Sequence, residues 1–117
     1  MRIFGISSSG LDAARTRMDV TANNVANVLS DDFKRSRTVD QARPAGIYGV
    51  DTTVQQIKTP GIPGPTDPVS GETRERSNVE LGPELVDMVV SQRAFEANLA
   101  ALKTADEMVG TVIDTIV

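Results

Sequence analysis

Residues 82–117 read GPELVDMVVSQRAFEANLAALKTADEMVGTVIDTIV, with no Pro after Pro83 and no Gly between Gly82 and Gly110. Within them Leu85, Met88, Gln92, Phe95, Leu99, Leu102, Asp106, Val109, Ile113 and Ile116 recur at alternating steps of three and four. That pattern lines one helix face with a seven-residue repeat, the spacing at which helices pack side by side. Pro83 and Glu84 suit a first turn, where the missing N–H is not needed and a carboxylate meets free amides. Ser77-Asn78-Val79-Glu80 is a capping-box pattern just upstream and offers an alternative start several residues earlier. The opposite end of the chain carries a second stripe, Leu11, Ala14, Met18, Thr21, Val25 and Val28. Ser7, Ser8 and Ser9 are candidate caps for that helix, Ile3 and Phe4 would extend it backwards, and a polar cluster at Leu29 to Asp32 ends it. At 1.5 Å per residue the two helices form rods of roughly 35 and 50 Å.

Between the stripes lie five of the six prolines, Pro44, Pro60, Pro63, Pro65 and Pro68. Val50 to Ile57 is rich in β-branched residues and predicts a strand, which Thr38-Val39 and Thr73-Arg74 are placed to pair with. Thr59 to Pro68 reads as an extended loop, since its prolines bar both a helix and a central strand. The fold expected is mainly α: long N- and C-terminal helices packed as an antiparallel coiled-coil-like hairpin, with a small β/loop middle segment. Its three parts are residues 1–30, 31–81 and 82–117.

Composition narrows the function. The 117 residues hold no Cys and no His, which excludes disulfides, thiolate or imidazole metal sites and histidine-dependent nucleophilic catalysis. Sixteen acidic against twelve basic residues give a net charge of −4, against a nucleic-acid partner, which calls for a basic surface. Aromatic residues are only 3%, so the core must come from aliphatic side chains and Ala, as in helix-on-helix packing. No apolar run reaches the ~18 residues of a membrane span, and the N-terminal residues lack the apolar stretch of a cleaved signal peptide. No phosphate-binding loop or calcium loop is present. Asp31-Asp32, Glu72 with Glu75, and the basic run Lys34-Arg35-Ser36-Arg37 read as solvated charges. The chain is not expected to be an enzyme or to hold a cofactor.

Polar residues on the stripes are the sharper signal. Asn24 and Asn27 share a face at the end of the first helix, where they either cap its last turn or hydrogen-bond a neighbouring helix. Gln92 and Asp106 interrupt the second stripe, and Arg93 and Asn98 flank Phe95. Buried polar groups in a seam cost stability unless paired, and in return specify one arrangement of partners.

Ser9-Gly10-Leu11-Asp12-Ala13-Ala14 and Met18-Asp19-Val20-Thr21-Ala22-Asn23-Asn24-Val25-Ala26-Asn27-Val28 resemble the N-terminal signature of bacterial flagellar rod and hook proteins. Phe33-Lys34-Arg35-Ser36 follows where that family commonly has Gly-Phe-Lys. Ser77 to Leu81, Glu84 to Val89, Gln92 to Asn98 and Thr104 to Met108 match the other end. Leu29-Ser30-Asp31-Asp32 departs from the family's common Asn-Thr-x-Gly. The short middle is most similar to a proximal rod protein. The resemblance implies a structural subunit of the basal body, exported by the flagellar type III apparatus without a cleaved signal, whose partners are other rod proteins and copies of itself. No nucleic acid, small-molecule substrate or membrane insertion is implied. On this reading Leu11, Met18, Val25, Leu85, Phe95, Leu99, Leu102 and Ile113 bury the seam, while Asn24, Asn27, Gln92, Arg93, Asn98 and Asp106 set register. The alternative is a soluble helical-hairpin adaptor or chaperone with no filament role.

Overall fold

A computed structural model describes residues 2–117. Helix α1 runs Arg2–Ala26 and helix α2 runs Leu81–Ile116; between them lie strands β1 (Ser36–Ala42), β2 (Val50–Gln56), β3 (Pro63–Thr66) and β4 (Thr73–Glu75). The molecule measures 80 × 26 × 17 Å with a radius of gyration of 20.6 Å, where a compact chain of this length would have ~13 Å. Neither helix is long and apolar enough to cross a membrane.

α1 starts earlier than its serines would suggest and places all three in its interior. It ends at Ala26, short of the expected Leu29–Asp32, because asparagine side chains take over the last turn. Asn27 donates its amide to the Asn23 carbonyl at 2.9 Å, and Ser30 donates to Asn27 Oδ1 at 3.0 Å. The turn then closes through Asp32 at φ 58°, the left-handed region where the related signature often has Gly. An aspartate fits there because its backbone N–H reaches Glu75 O at 2.7 Å and its carboxylate accepts from Glu75 N at 3.2 Å. α2 begins at Leu81, before Pro83, with Glu80 extended ahead of it and no side-chain cap. Ser77 instead accepts a hydrogen bond from Val79 N at 3.2 Å, a local turn rather than a capping box.

The strands form two separate antiparallel ribbons. β1 pairs with β2, as expected for Thr38-Val39, in the register Thr38↔Val54 and Val39↔Thr53. Thr73-Arg74 does not join them. It pairs with β3, which draws part of the expected Pro-rich loop into a second ribbon. Pro63 and Pro65 are tolerated there because a two-stranded ribbon is all edge. The close approach depends on glycine: a Cβ at Gly61 would meet the Arg76 carbonyl, and one at Gly64 would lie 2.5 Å from the Arg74 carbonyl.

α1 packs against α2 on one side and against β1 and β2 on another. Asn78 ties the middle together. Its amide donates to Ile57 O at 2.9 Å and Thr59 O at 3.0 Å, and its Oδ1 accepts from Arg35 N at 2.6 Å.

Candidate assembly interface

The helices meet through small and polar residues. Asn24 of α1 faces Glu84 of α2, and Gly10 faces Asn98, whose Oδ1 would lie 2.5 Å from any added Cβ. The two contacts run in opposite directions along the helices. On α2 the covered side is Glu84, Met88, Ser91, Phe95, Asn98, Leu102, Ala105 and Val109, with Ser91 0% and Ala105 2% exposed. On α1, Ser7, Ala14, Thr21 and Asn24 are buried. Small side chains here let the two backbones approach closely, and Ser91 Oγ satisfies itself on the Asp87 carbonyl at 2.7 Å.

The α2 face turned inward is therefore displaced by one residue from the apolar series read in the sequence. Met88, Phe95, Leu102 and Val109 belong to both and are partly covered. Leu85, Leu99 and Ile113 lie on the outer flank, 47, 49 and 55% exposed. The displacement has a steric cause, since Glu84, Ser91, Asn98 and Ala105 permit a shorter interhelical distance than Leu85 and Leu99 would. Leu11, Met18 and Val25 of α1 are partly covered.

At the junction of the two helices and β1 sits a buried polar knot. Asn24, 1% exposed, donates to the Ser36 carbonyl at 2.8 Å and to both Glu84 carboxylate oxygens at 3.2 Å, and accepts from Ser36 N at 3.0 Å. Glu84, 4% exposed, also faces the Arg35 guanidinium at 3.9 Å and lies in the first turn of α2, where the helix dipole favours a carboxylate. One asparagine thus matches both polar groups of a β1 residue and a carboxylate 60 positions away, which fixes how α1, α2 and β1 align.

The other polar residues on the stripes do less within one chain. Asn27 caps its own helix, and Asn98 donates to the Ala94 carbonyl at 2.9 Å while filling the space over Gly10. Gln92 and Arg93 both bond Glu96 on the exposed surface. Asp106 is exposed beside Phe4 and Leu102. Sequence reasoning passed over Glu84 as part of this contact, and also Ser91, Ala105 and Asn78. The seven-residue recurrence of Glu84, Ser91, Asn98 and Ala105, one position ahead of the apolar series, was the available signal.

Glu75 and Lys34 form the second electrostatic tie. Lys34 Nζ lies 2.6 Å from the Glu75 carboxylate, which also accepts from Gly61 N. The Lys34 hydrogen bond, then that of Gly61, hold the Glu75 carboxyl below the usual glutamate range.

The distribution of apolar side chains decides what such a surface is for. The buried hydrophobic residues are Ala13, Ala14 and Ala105 alone among the described residues. Leu85, Val86, Val89, Val90, Leu99, Met108, Val112, Ile113 and Ile116 are all 47–79% exposed along α2. Apolar area exposed on this scale along one helix is unusual for a surface left to water alone.

Comparison with known proteins agrees. Residues 4–28 match the family model described as flagella basal body rod protein, and residues 72–115 match that described as flagellar basal body rod FlgEFG protein C-terminal. The chain is 34% identical to the flagellar basal-body rod protein FlgC of Aquifex aeolicus, an alignment covering 88% of this chain and 87% of that protein. It is 26% identical to the FlgC of Borreliella burgdorferi, over 90% of each. The flagellar hook protein FlgE of Treponema pallidum is 35% identical over 51% of this chain but only 13% of its own length. The alignments that span nearly the whole chain are with rod proteins, as its short middle led us to expect. The chain belongs to the flagellar basal-body rod protein family, whose members are structural components and not enzymes.

Proposed function

We propose that this rod protein builds a hollow drive shaft by packing its terminal helices, an antiparallel coiled-coil-like hairpin within each copy, against the helices of its neighbours. One observation carries the reading: a core of three alanines beside a 36-residue helix whose Leu, Val and Ile side chains face outward. Covering each such side chain is worth about 1.5–3 kcal/mol, so the larger part of the available apolar stabilisation lies between molecules. Contacts of this heterologous kind propagate into a helical array rather than closing on themselves.

In this arrangement residues 1–30 and 82–117 form the tube wall and residues 31–81 the outer layer. Leu85, Leu99 and Ile113, left open in one chain, are buried by neighbours. Leu11, Met18, Val25, Phe95 and Leu102 complete the seam. Gln92, Arg93 and Asp106 set register between copies, as Asn24 and Asn98 do within one. The partners are other rod proteins and copies of this chain, and the subunit reaches the basal body through the type III export apparatus.

Leu99→Asp tests the proposal. The side chain is half-exposed in the single chain, so its helicity is expected to stay within a few per cent of the parent by circular dichroism. A carboxylate placed in an apolar contact without a partner costs several kcal/mol, so incorporation into isolated basal bodies should fall by roughly 100-fold and motility with it. Normal incorporation of Leu99→Asp would refute the proposal.

A further inference from the structure

The β1–β2 hairpin has two outer edges, and they differ. Backbone pairing fixes which groups face outward. Arg43 N donates to Gly49 O and Ile57 N donates to Arg35 O, so these pairs, and every second pair between them, are bonded to each other. The alternate residues turn N–H and C=O away from the hairpin: Ser36, Thr38, Asp40 and Ala42 on β1, and Val50, Thr52, Val54 and Gln56 on β2. On β1, Asn24 takes both groups of Ser36 and Arg17 holds the Asp40 carboxylate. A cleft beside Arg37 and Thr38 has Asp87 and Val90 of α2 as its far wall. On β2, Ser9 Oγ accepts from Val50 N at 3.2 Å, but the N–H and C=O of Thr52, Val54 and Gln56 form no hydrogen bond among the described residues.

Folded proteins close free strand edges with charge, Pro or a bulge. The other ribbon does so: β3 carries Pro63 and Pro65, its register with β4 is irregular, and Asp32 occupies both backbone groups of Glu75. From Thr52 to Ile57, β2 has no charge, no Pro, no Gly and no bulge, and Thr53, Val54 and Gln55 are exposed. A two-stranded ribbon is marginal in water, and this one meets α1 through polar groups, Asp40 and Thr52 beside Arg17.

We propose that the outer edge of β2 takes an extended, uncharged segment of a different basal-body protein as a third strand. This rests on the proposed assembly into the shaft and adds a neighbour bound through backbone and not through α2. The chemistry names the form of the occupant. Three N–H and three C=O groups spread along ~14 Å of edge are matched by an extended backbone. The incoming side chains lie beside Thr53, Val54 and Gln55, where a charge finds no partner, since Asp51 is already paired with Arg43. A second copy does not fit. Its other edges are closed, so it offers only its own β2, and two like edges make a contact that stops at a dimer, unlike the non-closing contacts of a shaft.

Hydrogen exchange on the parent chain reads the edge without any substitution. In isolated basal bodies the amides of Thr52, Val54 and Gln56 should exchange at least ~10-fold more slowly than in the dilute chain, and equal rates overturn the proposal. Val54→Pro then separates backbone from side chain. The lost N–H points away from β1, so the hairpin keeps its own ladder, while an incoming strand loses a bond and meets the ring. Its retention in basal bodies should fall at least ~10-fold, with Val54→Thr within about twofold of the parent. Parental retention of Val54→Pro, or equal loss in both variants, overturns the edge contact and leaves assembly through the helices standing. Absence of the parent itself from basal bodies overturns both. If Val54→Pro loses the hairpin, the exchange result alone decides. Photolysis of p-benzoylphenylalanine in place of Gln55 identifies the occupant by the mass of the attached peptide. A peptide of another basal-body protein with an uncharged stretch is expected; a peptide of this chain, or none, overturns the assignment.

Discussion

Replacing Asn24 with Ala removes the group that joins three elements, and the loss can be worked out bond by bond. The Ser36 N–H and carbonyl lose their partners, each costing about 1 kcal/mol at a partly buried position. Glu84, 4% exposed, loses the donor to both its oxygens and keeps Arg35 only at 3.9 Å. A buried carboxylate short of a partner adds a further 1–2 kcal/mol after water enters the vacated space. The expected total is about 3 kcal/mol, a large share of the ~5–15 kcal/mol of an ordinary small domain. Urea unfolding followed at 222 nm measures it. Glu84→Gln in the Asn24→Ala background removes the stranded charge and should recover about 1–2 kcal/mol, giving a double-mutant cycle with positive coupling. A cost under ~1 kcal/mol for Asn24→Ala, or effects of the two substitutions that simply add, would refute the knot as the element that aligns the helices.

Ser91→Leu places a large side chain at a position with 0% exposure in the closest part of the helix contact, so it should destabilise by about 1–3 kcal/mol, with loss of amide protection in both helices by hydrogen exchange. Asp32→Gly exchanges left-handed strain for a lost hydrogen bond to Glu75 N and should change stability by less than ~1 kcal/mol, whereas Asp32→Val, strained and without the bond, should cost more than that in the same urea titration. Glu75 titrates below its unfolded value, so the unfolded chain binds more protons in that window. The stabilisation from its tie to Lys34 is complete above the unfolded pKa of about 4.5 and disappears as pH falls through the lower folded value. The protection of the Gly61 amide, taken relative to its intrinsic exchange rate at each pH, should fall on acidification, and Lys34→Met should weaken this dependence, leaving the part that the Gly61 hydrogen bond supplies.

Much of this molecule was legible before any coordinates. The seven-residue repeat located both helices because a 3.6-residue period leaves a continuous stripe, and the β-branched residues of Val50 to Ile57 located β2 and, with Thr38-Val39, its partner. The terminal signatures gave the family. What escaped the sequence was steric and pairwise. Apolar periodicity marks a face that is covered somewhere, without saying by what. Leu85 and Leu99 define the stripe, yet the chain's own helix pair closes one residue away, on Ser91 and Ala105, since small side chains win where backbones approach. Glu84 looked like a first-turn acid, because nothing in a linear sequence announces an asparagine 60 residues earlier. Thr73-Arg74 found β3 and not β2, since Gly61 and Gly64 open a close approach that a Pro-rich run conceals.

Leu99→Cys supplies the chain's one thiol, half-exposed on the outer flank of α2. Its rate of maleimide labelling, compared between dilute chain and isolated basal bodies, reads directly whether that flank is covered by neighbouring molecules. Slowing by at least ~100-fold in the basal bodies is the expected result, and equal rates in the two states would contradict the account.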